Sequence, residues 1–150
     1  MSVEKNSNKF LIGLICFLII AFIVGLTIWC YYYIKEHHLQ NDPMLIEIKN
    51  TLLPLHPEIK NIKMYKSNKS YTLNKKDIYI CATDENDDYY DKNMLIHVTI
   101  HEIAHYLNKE DIGHTPKFHE IFEELLEKAS QMGIYDPSKP LVVNYCPQSK

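Results

Sequence analysis

Hydrophobic positions divide the chain into one long apolar run and a following part in which short apolar patterns alternate with polar stretches. Residues 10–34 contain no charged side chain, and as a helix they would extend about 37 Å, more than the hydrocarbon core of a bilayer requires. Trp29 and the tyrosines at 31–33 gather at one end of the run, as aromatic rings do at the lipid headgroup level. The pattern predicts a transmembrane helix over residues 10–34 in contact with the lipid bilayer, after a short tail (1–9) and before a polar stem (35–42).

A cleaved signal peptide would have a shorter apolar region and a small-residue cleavage site, and neither is seen here. We therefore expect an uncleaved, single-pass membrane anchor. Lys5 and Lys9 precede the helix, while Lys35 and Lys49 follow it, so the count of positive charges does not decide the orientation. Because Lys5 and Lys9 both lie close to the helix, a cytosolic N-terminus is slightly favoured.

Beyond the stem, the patterns predict one small α+β domain over residues 43–150. Pro43 opens a helical pattern that Pro54 and Pro57 end. Three short runs rich in β-branched and aromatic residues then predict strands. We expect these strands to form a short antiparallel sheet. The runs are NIKMYK (61–66), SYTL (70–73) and DIYICAT (77–83).

Two longer helices are predicted in the second half of the domain. The first, from Lys92 to Leu107, is apolar almost all round and should therefore lie in the centre, packed on the sheet. The second begins at Thr115-Pro116, a capping residue followed by proline at the first helical position, and Gly133 closes it. The remaining chain is irregular, with one candidate strand at residues 141–144.

Composition excludes some classes of protein. A net charge of −3 and a pI near 6.2 argue against nucleic acid as a partner, because such proteins present a basic face. Two of the four cysteines, Cys16 and Cys30, lie in the apolar run, so a disulfide-rich scaffold is excluded. Cys81 and Cys146 are most simply buried, unpaired side chains; pairing would require an oxidising compartment.

The central helix carries the sequence His101-Glu102-Ile103-Ala104-His105. Spacing of four residues places His101 and His105 on one face, close enough for both imidazoles to bind one Zn²⁺. Glu102 projects beside the metal, where it can accept a proton from a water molecule. A buried apolar helix has little reason to carry these polar residues unless a partner compensates them.

A catalytic zinc needs a third protein ligand and an open position. His114 is the favoured candidate because it follows a turn at the start of the next helix, where the chain has reversed direction. His119 lies off the buried stripe of that helix and is the weaker choice, and His97, one turn before His101, is more simply a packed histidine. Asn108 and Asp111 stand where metzincins have glycine and histidine, which excludes that subclass. A downstream carboxylate also remains open: Glu120, Glu123 or Glu124.

The string HEIAHYLNKEDIGHTPKF resembles the active site of the minimal gluzincin-type metallopeptidases, the WLM-like and SprT-like families. The resemblance covers roughly residues 71–146 and implies a zincin-like fold and a zinc-dependent peptidase. The stretch 78–135 is also similar to small metallopeptidase-like proteins of large DNA viruses, which implies a host or virion membrane. Members of these families that act on DNA carry basic regions, which are absent here. The matching residues are the ligands His101, His105 and His114, the general base Glu102, and the motif positions Gly113 and Phe118.

The sequence therefore predicts a membrane-anchored zinc metallopeptidase that acts on a protein or peptide substrate. The strand at 77–83 could offer its edge to an extended substrate. Tyr135, Tyr145 and His119 are open candidates for stabilising the oxyanion. The alternative is a non-catalytic, zinc-stabilised, membrane-tethered interaction domain, with the tail at 141–146 lying across the metal.

Overall fold

The N-terminal unit is one long helix. The computed structural model describes residues 2–110 and 112–146. Helix α1 spans Ser2–Gln40, so the expected tail and stem are helical from Ser2 onward and as far as Gln40. Within α1, the segment Leu11–Lys35 is long and apolar enough to cross a membrane, judged by length and composition. Every side chain in that segment is exposed.

The chain separates into two compact units, Met1–His38 and Leu39–Lys150. The second unit is an α+β domain, as the sequence predicts. Its first helix is capped by the Asp42 side chain, which accepts a hydrogen bond from the Leu45 amide. Two short 3₁₀ helices follow, at the prolines that were predicted to end the helix. In chain order the elements are α2 (Pro43–Leu52), 3₁₀ helices (Leu53–Leu55, Pro57–Asn61), β1 (Lys63–Lys66), β2 (Tyr71–Leu73), β3 (Asp77–Ile80), α3 (Lys92–Leu107) and α4 (Pro116–Gln131).

The three-stranded sheet is mixed, so the prediction of an antiparallel sheet was wrong for one of its two pairings. The strand order is β1-β3-β2, with β3 parallel to β1 and antiparallel to β2. After β1 the chain crosses the carboxyl end of β3, where Ser67 donates to the Ile80 carbonyl and Ser70 Oγ accepts from the Cys81 amide. It can then return only along the far side of β3. That crossing makes β2 an edge strand and β3 the central one.

Alternation along the strands gives the sheet two different faces. Met64, Ile78 and Thr72 form a row on the face of the sheet that packs against the core and α3. The opposite row stacks Tyr65, Tyr79 and Tyr71, with ring centroids 5.1 and 4.7 Å apart. Thr72 is therefore the edge-strand residue that points from the sheet toward the central helix.

Helix α3 is buried nearly all round, as predicted, and contacts the sheet, α2 and α4. Helix α4 begins at the predicted cap, where Thr115 Oγ1 accepts from the Phe118 amide, and it is followed by Gly133 at φ 67°. A left-handed residue at this position is a common helix ending, and glycine adopts it without strain. The candidate strand at residues 141–144 is absent; the segment forms irregular chain and a turn.

Cys81 and Cys146 form a disulfide, which corrects the expectation of two unpaired side chains. The bond joins the end of the central strand to the C-terminal segment across 65 positions. Tyr145 reinforces this junction, because its hydroxyl donates to the Cys81 carbonyl at 2.6 Å and lies 2.7 Å from Ser70 Oγ. Sequence separation of this size hides the pairing from any local pattern.

We expect loss of this cross-link to destabilise the domain by about 2–4 kcal/mol, because the bond restricts a long loop in the unfolded chain. The measurement is urea unfolding of full-length protein in detergent, with and without a reductant, for the wild type and for Cys81→Ser/Cys146→Ser. The double variant should unfold earlier and lose its response to reductant. The matched control, Cys16→Ser/Cys30→Ser, should keep the wild-type response.

Candidate metal centre

Helix α3 positions the first two histidines and the glutamate. Asp91 caps the helix by accepting a hydrogen bond from the Asn93 amide, and the helix is regular through the motif. His101 and His105 lie one turn apart with ring centroids 4.9 Å from one another. Both are partly buried, whereas Glu102, on the adjoining face, is only 5% exposed. The helix thus presents two imidazoles and one carboxyl group toward its junction with β2 and α4.

A turn before α4 brings the third histidine to the same point. Gly113 adopts φ 85°, a left-handed conformation that favours glycine, and His114 follows it directly. His114 Nε2 lies 3.0 Å from His101 Nε2 and 3.2 Å from His105 Nε2. The structure therefore joins the two helix positions with the loop position that the sequence favoured.

Two of the three nitrogen separations are close to those that a shared metal ion requires. Tetrahedral zinc with Zn–N bonds of 2.0–2.1 Å would hold its ligand nitrogens about 3.3 Å apart, close to the two observed separations. A neutral imidazole Nε2 carries either one hydrogen or one lone pair, so His114 Nε2 cannot satisfy two such neighbours by hydrogen bonding alone. Among the described residues, this triad is the group whose ligand atoms converge, all within 4.8 Å. It could hold a metal ion.

Phe118 packs with its ring against all three imidazoles. Its ring is 1% exposed and lies with its centroid 4.9, 4.3 and 4.7 Å from those of His101, His105 and His114. Packing of this kind restricts how the imidazoles can turn. The aromatic residue of the sequence motif, Phe118, is therefore a packing residue of the histidine cluster.

Glu102 is held by a residue that the sequence analysis did not single out. Thr72 Oγ1, on the edge strand β2, lies 2.8 Å from Glu102 Oε2 and 2.9 Å from the Glu102 backbone carbonyl. Burial raises the pKa of Glu102 to about 7, and the Thr72 hydrogen bond opposes that rise. The only sequence signal for Thr72 was its place at an inward position of a short strand.

Burial dominates the electrostatics of the imidazoles as well. It lowers the pKa of His101 to about 4, with further lowering from the neighbouring histidines. The pKa of His105 is lowered chiefly by burial, then by His114 and Lys75. Both rings are thus held in the neutral form that binds metals.

An open pocket of about 550 Å³ adjoins the histidines and Glu102. None of the described residues of the tail, 141–146, lines it, so the tail does not cover the site within the part of the chain that the structure describes. The pocket walls come from β2, the following turn and the loop before α4. Besides the triad and Glu102, they are Ser70, Tyr71, Thr72, Asn74, Lys75, Ile112 and Gly113.

The other candidate residues lie elsewhere. His97 packs between the rings of Phe122 and Tyr135, and burial lowers its pKa. His119 is exposed, with its ring 6.3 Å from that of His114. The hydroxyl of Tyr145 is engaged at the disulfide junction. These residues are absent from the pocket lining described above, as are the exposed acids Glu120, Glu123 and Glu124.

The strand predicted to offer its edge to a substrate is not an edge strand. Strand β3 lies between β1 and β2, so its backbone groups are paired on both sides and it offers no edge. The strand beside the pocket is β2, whose far side forms the edge of the described sheet. Tyr71 and Leu73 on this strand are 40% and 42% exposed.

Comparison with known proteins gives viral relatives and no function. No known protein family and no solved structure matches the chain. It is 54% identical over 89 residues to the uncharacterized protein 136R of Invertebrate iridescent virus 6, covering 57% of this chain and 49% of the relative. It is 51% identical over 87 residues to the uncharacterized protein 042R of Invertebrate iridescent virus 3, covering 57% and 54%. The chain spans about half the length of the curated relatives it matches.

We expect His114→Ala to remove most of the bound metal, because two imidazoles alone leave the ion half-coordinated. The measurement is metal content by inductively coupled plasma mass spectrometry on full-length protein purified in detergent. His119→Ala is the matched control, since it changes an exposed histidine five positions away and should keep the wild-type content. Equal metal content in the wild type and in His114→Ala would show that His114 is not a metal ligand.

Proposed function

We propose that the protein is a membrane-anchored, zinc-dependent metallopeptidase that hydrolyses peptide bonds of a protein or peptide substrate. The observation that carries this proposal is the convergence of three Nε2 atoms beside a buried glutamate on an open pocket. A purely structural zinc site is closed by its ligands, and a carboxyl group next to it would have no role. The likeness to the WLM-like and SprT-like active sites supports the same assignment.

In this proposal each residue of the site has a distinct role. His101, His105 and His114 hold the zinc ion through Nε2. When bound, zinc would polarise the scissile carbonyl and lower the pKa of a water molecule toward 7. Glu102 accepts the proton of the attacking water and passes it to the leaving amine.

The edge strand is the element that we assign to the substrate. An extended peptide can pair with the free edge of β2 through backbone hydrogen bonds, and alternate side chains then meet pocket and solvent. The scissile bond would lie near Thr72, opposite Glu102. Backbone pairing gives affinity without demanding a particular sequence.

We also propose that α1 spans a membrane once, of a host cell or a virion, with the N-terminus on the cytosolic side. Length and apolar composition of Leu11–Lys35 support the span. The Cys81–Cys146 disulfide supports the orientation, because such bonds persist in oxidising compartments.

Glu102→Gln should keep the zinc and reduce peptide hydrolysis by about 100-fold or more, because the amide cannot accept the proton. The experiment incubates full-length protein in detergent with a peptide library and identifies new termini by mass spectrometry, with zinc content measured on the same samples. Full activity in Glu102→Gln would exclude the assigned base. Stoichiometric zinc with no cleavage by the wild type would favour the non-catalytic interaction domain instead.

Orientation has its own test. In sealed microsomes that contain the full-length protein, we expect residues 43–150 to resist added protease until detergent is added, because they would lie in the lumen. An antibody against this region detects the protected fragment. Complete digestion without detergent would reverse the proposed orientation and leave the metal site unaffected.

A further inference from the structure

The edge strand contributes one side chain that reaches the proposed general base. We propose that Thr72 is a positioning residue that fixes the Glu102 carboxyl group for proton transfer. This inference rests on the proposed function and deepens it.

The Thr72 hydroxyl has two possible acceptors on the same residue. Thr72 Oγ1 lies within hydrogen-bond distance of the Glu102 backbone carbonyl and of Oε2. The hydroxyl carries one proton, which it can donate to either oxygen, and donation to Oε2 holds the end of the flexible glutamate side chain against β2. With Oε2 engaged by Thr72, we assign proton transfer to the other carboxyl oxygen.

The hydroxyl is itself held in place by the sheet. Thr72 pairs with Ile78, which is fully buried in the core, and a β-branched side chain in a strand has few χ1 choices. Two residues earlier, Ser70 Oγ bonds both the Cys81 amide and the Tyr145 hydroxyl. The position of Oγ1 therefore follows from the core and the disulfide junction and does not depend on a substrate.

A helix residue alone would lack this restraint. Glu102 lies on α3 beside His101, and both residues line the pocket. The described hydrogen bond to its carboxyl group comes from Thr72 on β2. Serine at position 72 would supply the same hydroxyl, whereas valine would match the shape of threonine without a donor. The pair Thr72→Ser and Thr72→Val thus separates the hydrogen bond from packing.

The test uses acetohydroxamate, a small zinc chelator whose hydroxyl proton is shared with an adjacent carboxylate. Its dissociation constant is measured by calorimetry on zinc-loaded, full-length protein in detergent, so no peptide substrate is needed. We expect Thr72→Val to weaken binding about tenfold, Thr72→Ser to stay within about twofold of wild type, and Glu102→Gln to weaken it at least as much as Thr72→Val.

Thr99→Val is the matched control. It removes a buried hydroxyl for which the described part of the chain provides no hydrogen-bond partner, on the same helix as the site. Its acetohydroxamate affinity should equal that of the wild type. Zinc content and thermal unfolding, measured for every variant, separate loss of positioning from loss of the metal or the fold, and Thr72→Ala replaces Thr72→Val should the latter not fold.

The outcomes separate the two proposals. Binding by Thr72→Val equal to wild type, while Glu102→Gln binds more weakly, would overturn the role of Thr72 and leave Glu102 in place. No acetohydroxamate binding by zinc-loaded wild type would mean that the metal has no open position, and both proposals would fail. Once a peptide substrate is found, Thr72→Val should lower kcat with little change in KM, and Thr72→Ser should restore it.

Discussion

The requirement that one helix serve both the core and the candidate metal centre constrains the whole domain. Helix α3 is surrounded by apolar neighbours, yet it carries two imidazoles and a carboxyl group on the side that meets the pocket. Such polar groups are tolerated at a buried helix only when partners compensate them. Here the partners come from other elements: His114 from the loop before α4 and Thr72 from the edge strand. The order of the strands and the turn at Gly113 can be understood as the arrangement that delivers those partners.

Much of this architecture could be predicted from the sequence because its signals are local. The bounds of α3 follow from its apolar pattern and those of α4 from its capping residue and Gly133. The pairing of His101 with His105 follows from helix geometry. The choice of His114 over His119 needed only the expectation of a chain reversal before α4. Each of these inferences depends on residues less than one helix length apart.

The features that could not be predicted depend on long-range contacts. Strands of three or four residues contain too little pattern to fix their order, so the parallel pairing of β1 with β3 was missed. The same uncertainty hid Thr72, whose contact with Glu102 spans 30 positions, and the Cys81–Cys146 bond, which spans 65. In each case a residue of unremarkable local context acquires its role from a partner that the sheet brings to it.

The distribution of aromatic residues gives the helical unit an optical signature of its own. The single tryptophan of the chain, Trp29, lies on α1, whereas the α+β domain carries the stacked tyrosines 65, 79 and 71 and no indole. Indole emission therefore reports the surroundings of the helix alone, whereas tyrosine signals come from both units, because the tyrosines at 31–33 also lie on α1. Insertion of the helix into lipid can therefore be followed in the full-length protein without an added label.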